Sequence, residues 1–145
     1  MNFTYLRRIR LLLLSLIILY SGTVSASEVI NWRSYEEGMV VSKVEKKKVL
    51  LHFYANWCGF CRKMAQDTFR DSDVVAFLNE NFIPVRVDTD KEQQTAASYG
   101  VAGLPFTVFL TDNGEPIIGL PGYIPADTML KMLKEINGLE LEAGG

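Results

Sequence analysis

The 145-residue chain reads as an α/β domain built on a mixed four-stranded sheet with helices on both faces. Three observations predict that class. Residues 49–55 are a nearly continuous apolar run of strand length, as a strand covered on both faces requires, and 82–88 read as a second buried strand. Residues 106–110 and 115–120 flank Asp112-Asn113-Gly114, where Asn-Gly supplies the positive φ of a hairpin turn. Stretches with apolar residues at helical spacing separate the first two runs from each other and from the hairpin. Strands divided by a helix need a parallel crossover, whereas the hairpin strands are antiparallel.

The elements follow in order. Arg7, Arg8 and Arg10 precede an apolar core at 11–20, and Val24-Ser25-Ala26 offers small residues for cleavage. That is the three-part pattern of a secretory signal peptide over residues 1–26. An uncleaved N-terminal membrane anchor stands as the alternative, although residues 11–26 fall short of the ~20 that span a bilayer. The leader holds three of the 15 basic residues and none of the 17 acidic ones, so its removal leaves 119 residues and a net charge of −5. Such a domain does not suit nucleic acid. Residues 33–47 carry Tyr35, Met39, Val40 and Val44 at helical spacing, closed by Lys46-Lys47-Lys48. Residues 59–69 read as helix, and Asp71-Ser72-Asp73 caps another that runs to Asn81. Residues 91–99 form a helix that stops at Gly100, and a last amphipathic helix runs from Pro125 or Ala126 to Ile136. The domain is expected over 27–138, with a flexible tail at 139–145.

Both cysteines of the chain lie in Trp57-Cys58-Gly59-Phe60-Cys61, where the first apolar run gives way to helix. A Cys-x-x-Cys pair at a strand-to-helix junction reads as a redox dithiol, because the helix N-terminus stabilises a thiolate on the first sulfur. A bridge closing so short a loop restrains the unfolded chain least, which makes it a weak staple. An inert bridge or half of a zinc site are the plain alternatives, but a closed zinc site wants four ligands and the chain has two cysteines and one histidine. Asp88, Asp90 and Glu92 are explained as capping acids of a strand-to-helix loop rather than a cation site.

These residues resemble the thioredoxin superfamily, with its thioredoxin fold, over residues 33–137. The stretch from Phe53 to Met64 resembles a thioredoxin active site, Gly103-Leu104-Pro105 resembles the family's cis-proline loop, and Gly122 resembles the glycine lining the substrate groove. Tyr54-Ala55-Asn56-Trp57-Cys58 and Asp67-Thr68-Phe69 are most similar to secreted thioredoxin-like proteins and the periplasmic C-terminal domain of DsbD. The resemblance implies Cys58 as nucleophile and Cys61 as the resolving thiol, with Trp57, Gly59, Phe60, Leu104, Pro105 and Gly122 around a bound substrate segment. His52 is a departure, since the family usually carries a buried aspartate six residues before the nucleophile. Strand alternation places Leu50, His52 and Tyr54 on one face, beneath the dithiol. A neutral imidazole there serves as base for Cys61, or is simply satisfied by a backbone carbonyl. Gln66 stands where thioredoxins often have a kinking proline, and Pro84 where they have a lysine.

The function implied is a periplasmic thiol–disulfide oxidoreductase acting on protein disulfides, as reductant or electron relay. It needs no cofactor or metal of its own, takes electrons from a membrane thiol carrier of the DsbD type, and is expected to be a monomer. An oxidase or isomerase is the rival within the class. A copper(I) metallochaperone is the rival outside it, against which stands the absence of any histidine after Cys61.

Overall fold

The computed structural model describes residues 29–139. The expected leader at 1–26 and the tail beyond Leu139 lie outside the described residues. Strand β1 (Lys48–Tyr54) is the spine: five of its seven residues are buried, and it has a neighbour on each side. It pairs in parallel with β2 (Phe82–Asp88) and antiparallel with β3 (Phe106–Leu110), and β3 pairs antiparallel with β4 (Pro116–Pro121), giving the order β2-β1-β3-β4. This is the mixed four-stranded sheet expected from the sequence.

The period-two alternation of β1 divides the core into two layers. Val49, Leu51 and Phe53 face one cluster with Val85, Val108 and Leu110, covered by α1 (Tyr35–Glu45) and α4 (Gln93–Ser98) through Tyr35, Met39 and Ala96. Leu50 faces the other, with Met64 of α2 (Gly59–Gln66), Val74 and Leu78 of α3 (Ser72–Asn81), and Met129 and Leu133 of α5 (Ala126–Gly138). Phe53, Phe82 and Phe109 are fully buried, each contributing about 1.5–3 kcal/mol by leaving water.

Several boundaries differ from the sequence reading, each for a local reason. The first helix begins at Tyr35 because Ser34 caps it, its Oγ accepting from Glu37 N–H at 3.3 Å. Arg33 instead bridges to Val85, donating to Pro84 O (3.0 Å) and accepting from Arg86 N–H (3.1 Å). Pro84 is tolerated in β2 because its missing N–H falls on that outer edge rather than in the ladder to β1. Of the lysine run, Lys46 closes α1 with φ +55°, while Lys48 already belongs to β1. The stretch expected as one helix over 59–69 ends at Gln66 and re-forms as a 3-10 turn at Thr68–Arg70. Thr68 Oγ1 donates to Ile124 O at 2.6 Å there, fastening this turn to the loop before α5. The helix expected over 91–99 is confined to Gln93–Ser98. In the hairpin only Gly114 takes positive φ, +86°, and Asn113 does not. Thr111 holds that turn instead, its Oγ1 accepting from Asn113 and Glu115 N–H. At the far end of the described residues, Lys48 Nζ donates to Leu139 O at 2.8 Å.

Gly38 shows how closely α1 lies on β2. A Cβ built there falls 2.1 Å from Cγ2 of the buried Val85. Gly38→Ala is predicted to lower stability by about 1–3 kcal/mol despite its better helix propensity, because a short branched side chain inside a filled layer has nowhere to go. Urea denaturation measures it, and the pair with Val85→Ala should be less unstable than the two single losses added together.

Candidate active site

Beyond Tyr54 the chain leaves β1 and turns into α2, and Cys58 stands at the turn. Tyr54 O accepts from Thr89 N–H (2.9 Å), Ala55 O from Cys58 N–H (3.2 Å), and Asn56 O from Arg62 Nη1 (2.9 Å). These bonds fix the loop from three sides. Cys58 has extended backbone (φ −76°, ψ 111°) and occupies the N-cap position of α2, its Sγ accepting from Cys61 N–H at 3.1 Å. A sulfur in that position takes over one of the helix's orphan N–H donors and lies at its positive end. Cys58 and Cys61 are joined as a disulfide with Cα atoms 5.2 Å apart, and both residues are buried.

The flanks of the pair are exposed and aromatic. Trp57 is 69 % and Phe60 65 % exposed, unusual for side chains of this size. Trp57 is nonetheless held, its Nε1 donating to Asp90 at 3.0 and 3.3 Å. Asp90, which the sequence reading explained as a capping acid, is instead a clamp on the residue beside the nucleophile candidate, while Asp88 is the acid that accepts from a backbone N–H of this loop, that of Asp90 itself at 3.1 Å. Leu104 packs on the cluster of Ala55, Cys58 and Cys61, and the Leu104–Pro105 bond is cis. Gly122 (φ +88°) donates its N–H to Pro105 O at 2.8 Å, so two separate loops are tied together. Gly59 is in open surroundings, a Cβ meeting only Arg62 Nη2 at 3.9 Å.

A third tie runs from α2 to the Gly122 loop: Lys63 is paired with Asp67, lies 4.7 Å over the Tyr123 ring, and Tyr123 O–H donates to Asp67 at 3.3 Å. Its charges are exposed, so it serves as alignment more than stability.

His52 lies on the face expected, 2 % exposed, and it lines with Cys61 a cleft behind the disulfide. Its partner is not a backbone carbonyl but a side chain, Thr107 Oγ1 at 3.3 Å from Nδ1. The register explains this. Arg86, His52 and Thr107 oppose one another across β2, β1 and β3 and form one row on one face. The imidazole meets the Phe69 ring edge-on at 4.9 Å and stacks with Tyr54 at 6.5 Å. Burial, with the nearby Arg86 cation second, lowers its pKa from 6.5 to about 3, so it stays neutral at ordinary pH. Among the described residues no group of three or more His, Cys, Asp and Glu is placed to hold a metal ion, and no helix is long and apolar enough to cross a membrane.

Comparison with known proteins adds to this geometry. A family model for the thioredoxin-like domain matches residues 35–137. A thiol:disulfide interchange protein DsbD of Vibrio vulnificus is 29 % identical over 123 residues, covering 81 % of this chain and 21 % of that protein. The chain therefore spans about a fifth of that relative's length. A thioredoxin of Borreliella burgdorferi is 34 % identical over 93 residues, 63 % of this chain and 75 % of that one. Among solved structures, a Thermus thermophilus thioredoxin superposes with a TM-score of 0.68 at 26 % identity, covering 74 % of this chain and 87 % of that one. The DsbH oxidoreductase superposes with a TM-score of 0.67 over 84 % of this chain and 94 % of its own, and at 24 % identity shows the fold alone.

The lowered histidine pKa has a consequence for folding. Below pH ~6.5 the unfolded chain protonates His52 and the folded one does not until about pH 3. Unfolded chains then bind more protons, so stability falls as pH drops across that window, by up to about 1.4 kcal/mol per unit from this group. Urea titrations at pH 7.5, 6 and 5 on wild type and His52→Asn should show a steeper decline for wild type. Parallel curves would mean the imidazole protonates within the fold.

Proposed function

The chain belongs to the thioredoxin-like domain family and is a thiol–disulfide oxidoreductase, and from that footing we propose that it is an exported reductant or electron relay for protein disulfides, with Cys58 attacking and Cys61 resolving. The observation that carries this reading is the place of the Cys58 sulfur, capping α2 beside two exposed aromatic side chains.

In the reduced protein, N–H groups and the positive helix end lower the Cys58 pKa below the free value of ~8.5 and give a thiolate at neutral pH. That thiolate attacks one sulfur of a substrate disulfide. A Cys58–substrate bond forms, the substrate bond breaks, and a substrate thiolate departs and is protonated by solvent. Cys61 then loses its proton and attacks the Cys58 sulfur. The internal disulfide forms, the mixed one breaks, and the second substrate thiol leaves, so two electrons have passed from the protein to its substrate. An extended substrate segment lies along Leu104, Pro105 and Gly122, flanked by Trp57, Gly59 and Phe60. The hydrogen bond from Gly122 to Pro105 supports this by making those loops one surface.

His52 acts on the second step. Its neutral imidazole, on the wall shared with Cys61, accepts the proton as the resolving sulfur attacks. With so weak a base the imidazolium does not accumulate, and the proton passes on to solvent, so the rate contribution is modest, on the order of tenfold.

The domain is taken as 27–138 with residues 139–145 as tail, supported by the family match and by α5 ending at Gly138. The leader-like sequence of 1–26 and the likeness to DsbD support a periplasmic location, cleaved or anchored, with a DsbD-type membrane thiol carrier as electron source. Each turnover leaves the internal disulfide, and in an oxidising compartment only such a donor regenerates the dithiol.

Insulin reduction driven by dithiothreitol tests the assignment. Cys58→Ser should abolish it, and Cys61→Ser should accumulate a covalent adduct with substrate that non-reducing electrophoresis detects. Equal adduct formation by both variants would remove the division of roles. His52→Ala should slow resolution roughly tenfold with the first attack little changed. Unchanged kinetics across pH 6 to 9 would remove the proton-acceptor role.

A further inference from the structure

Behind the disulfide, on the side of Cys61, the surface opens into a cleft of about 420 Å³, within the range that small ligands occupy. Three aromatic side chains, Trp32, Tyr54 and Phe69, contribute to its walls, and Arg62, Arg70 and Arg86 stand exposed around it. No carboxylate lines it. Among the described residues none of these three arginines has an ion-pair partner, whereas Arg33 nearby is paired with Glu37. Three unpaired guanidinium groups around one concavity are a strong bias in a chain whose net charge is −2.

Two further features define what such a cleft takes. The Arg86 guanidinium lies 4.8 Å from the Tyr54 ring centroid and 5.6 Å from that of Trp32. Stacking occupies its faces and leaves the in-plane N–H groups, which match a carboxylate two at a time. At the back is His52, almost wholly buried, its Nδ1 engaged by Thr107. Its Nε2 has no hydrogen-bond partner among the described residues yet is not sealed from solvent, so it meets the cleft. A polar atom of a buried side chain that has no protein partner and opens on a cleft is a place for a ligand's polar group.

We propose that this cleft is a binding site for a small aromatic carboxylate, its charge taken by the arginines and its ring by the aromatic walls. The site is separate from the polypeptide-facing side of the dithiol: the depression containing Trp57 and Leu104 shares no lining residue with it. Since Cys61 forms part of the wall, an occupant shields the resolving sulfur from solvent.

Titration of the full chain with 2-naphthoate, followed through the two indole N–H signals by NMR, tests this. The expected result is a saturable shift of the Trp32 signal with Kd on the order of 0.1 mM, and none for Trp57. Arg86→Gln should weaken binding at least fivefold and Arg70→Gln about threefold, while neutral 2-naphthylmethanol should bind roughly tenfold more weakly. The Arg70 variant keeps the test decisive if Arg86→Gln disturbs β2. No saturable shift up to about 5 mM, a shift confined to Trp57, equal binding of the alcohol, or full affinity in both variants would overturn the proposal.

Discussion

A helix normally takes Ser, Thr, Asp or Asn at its N-cap, and here the position is held by a cysteine sulfur whose disulfide partner one turn later supplies the N–H. That constraint organises the molecule. For Cys58 to stand at the start of α2, β1 must end at Tyr54 on a fixed line, and a central strand with neighbours on both sides provides it. Around this point the remaining chain acts as a set of clamps. Asp90 holds Trp57, Arg62 closes the Asn56 loop, and the Gly122 N–H joins the loop after β4 to the one before β3. None is worth much alone. Together they hold the sulfur at the start of the helix.

The second determinant is electrostatic. The row Arg86–His52–Thr107 runs beneath the dithiol with a cation at its edge, a neutral imidazole in its centre and a hydroxyl beyond. No carboxylate stands in that row to oppose a thiolate. Burial keeps the imidazole uncharged, so the region can serve a proton transfer without storing charge. The same arrangement leaves Arg86 without an acid and open to the cleft, so the proton transfer proposed for His52 and the anion site proposed for the cleft trace to one row of side chains.

Much of this was written plainly in the sequence. The two apolar runs, the Asn-Gly turn and the Cys-x-x-Cys at the junction fix the order of elements and the site, because strand and helix periodicities are local properties. What escaped was whatever depends on register. That His52 would face Thr107 rather than a carbonyl, and that Arg86 would lie between Tyr54 and Trp32, follows from how three strands align, and no local pattern states that alignment. Asp90 shows the same limit. Its place in a strand-to-helix loop suggests a cap, but its carboxylate holds Trp57, 33 residues away along the chain. The break at Gln66 was missed because its cause is the distant Ile124 carbonyl, which accepts from Thr68.

The account rests on Cys58 being ionised by its position at the start of α2, and the direct measurement is its pKa in the reduced protein, from the pH dependence of iodoacetamide alkylation and of thiolate absorbance. The prediction is a single accessible thiol titrating clearly below ~8.5, with Cys61 unreactive throughout neutral pH. A Cys58 pKa at or above that value, or alkylation of both cysteines at equal rates, would contradict it.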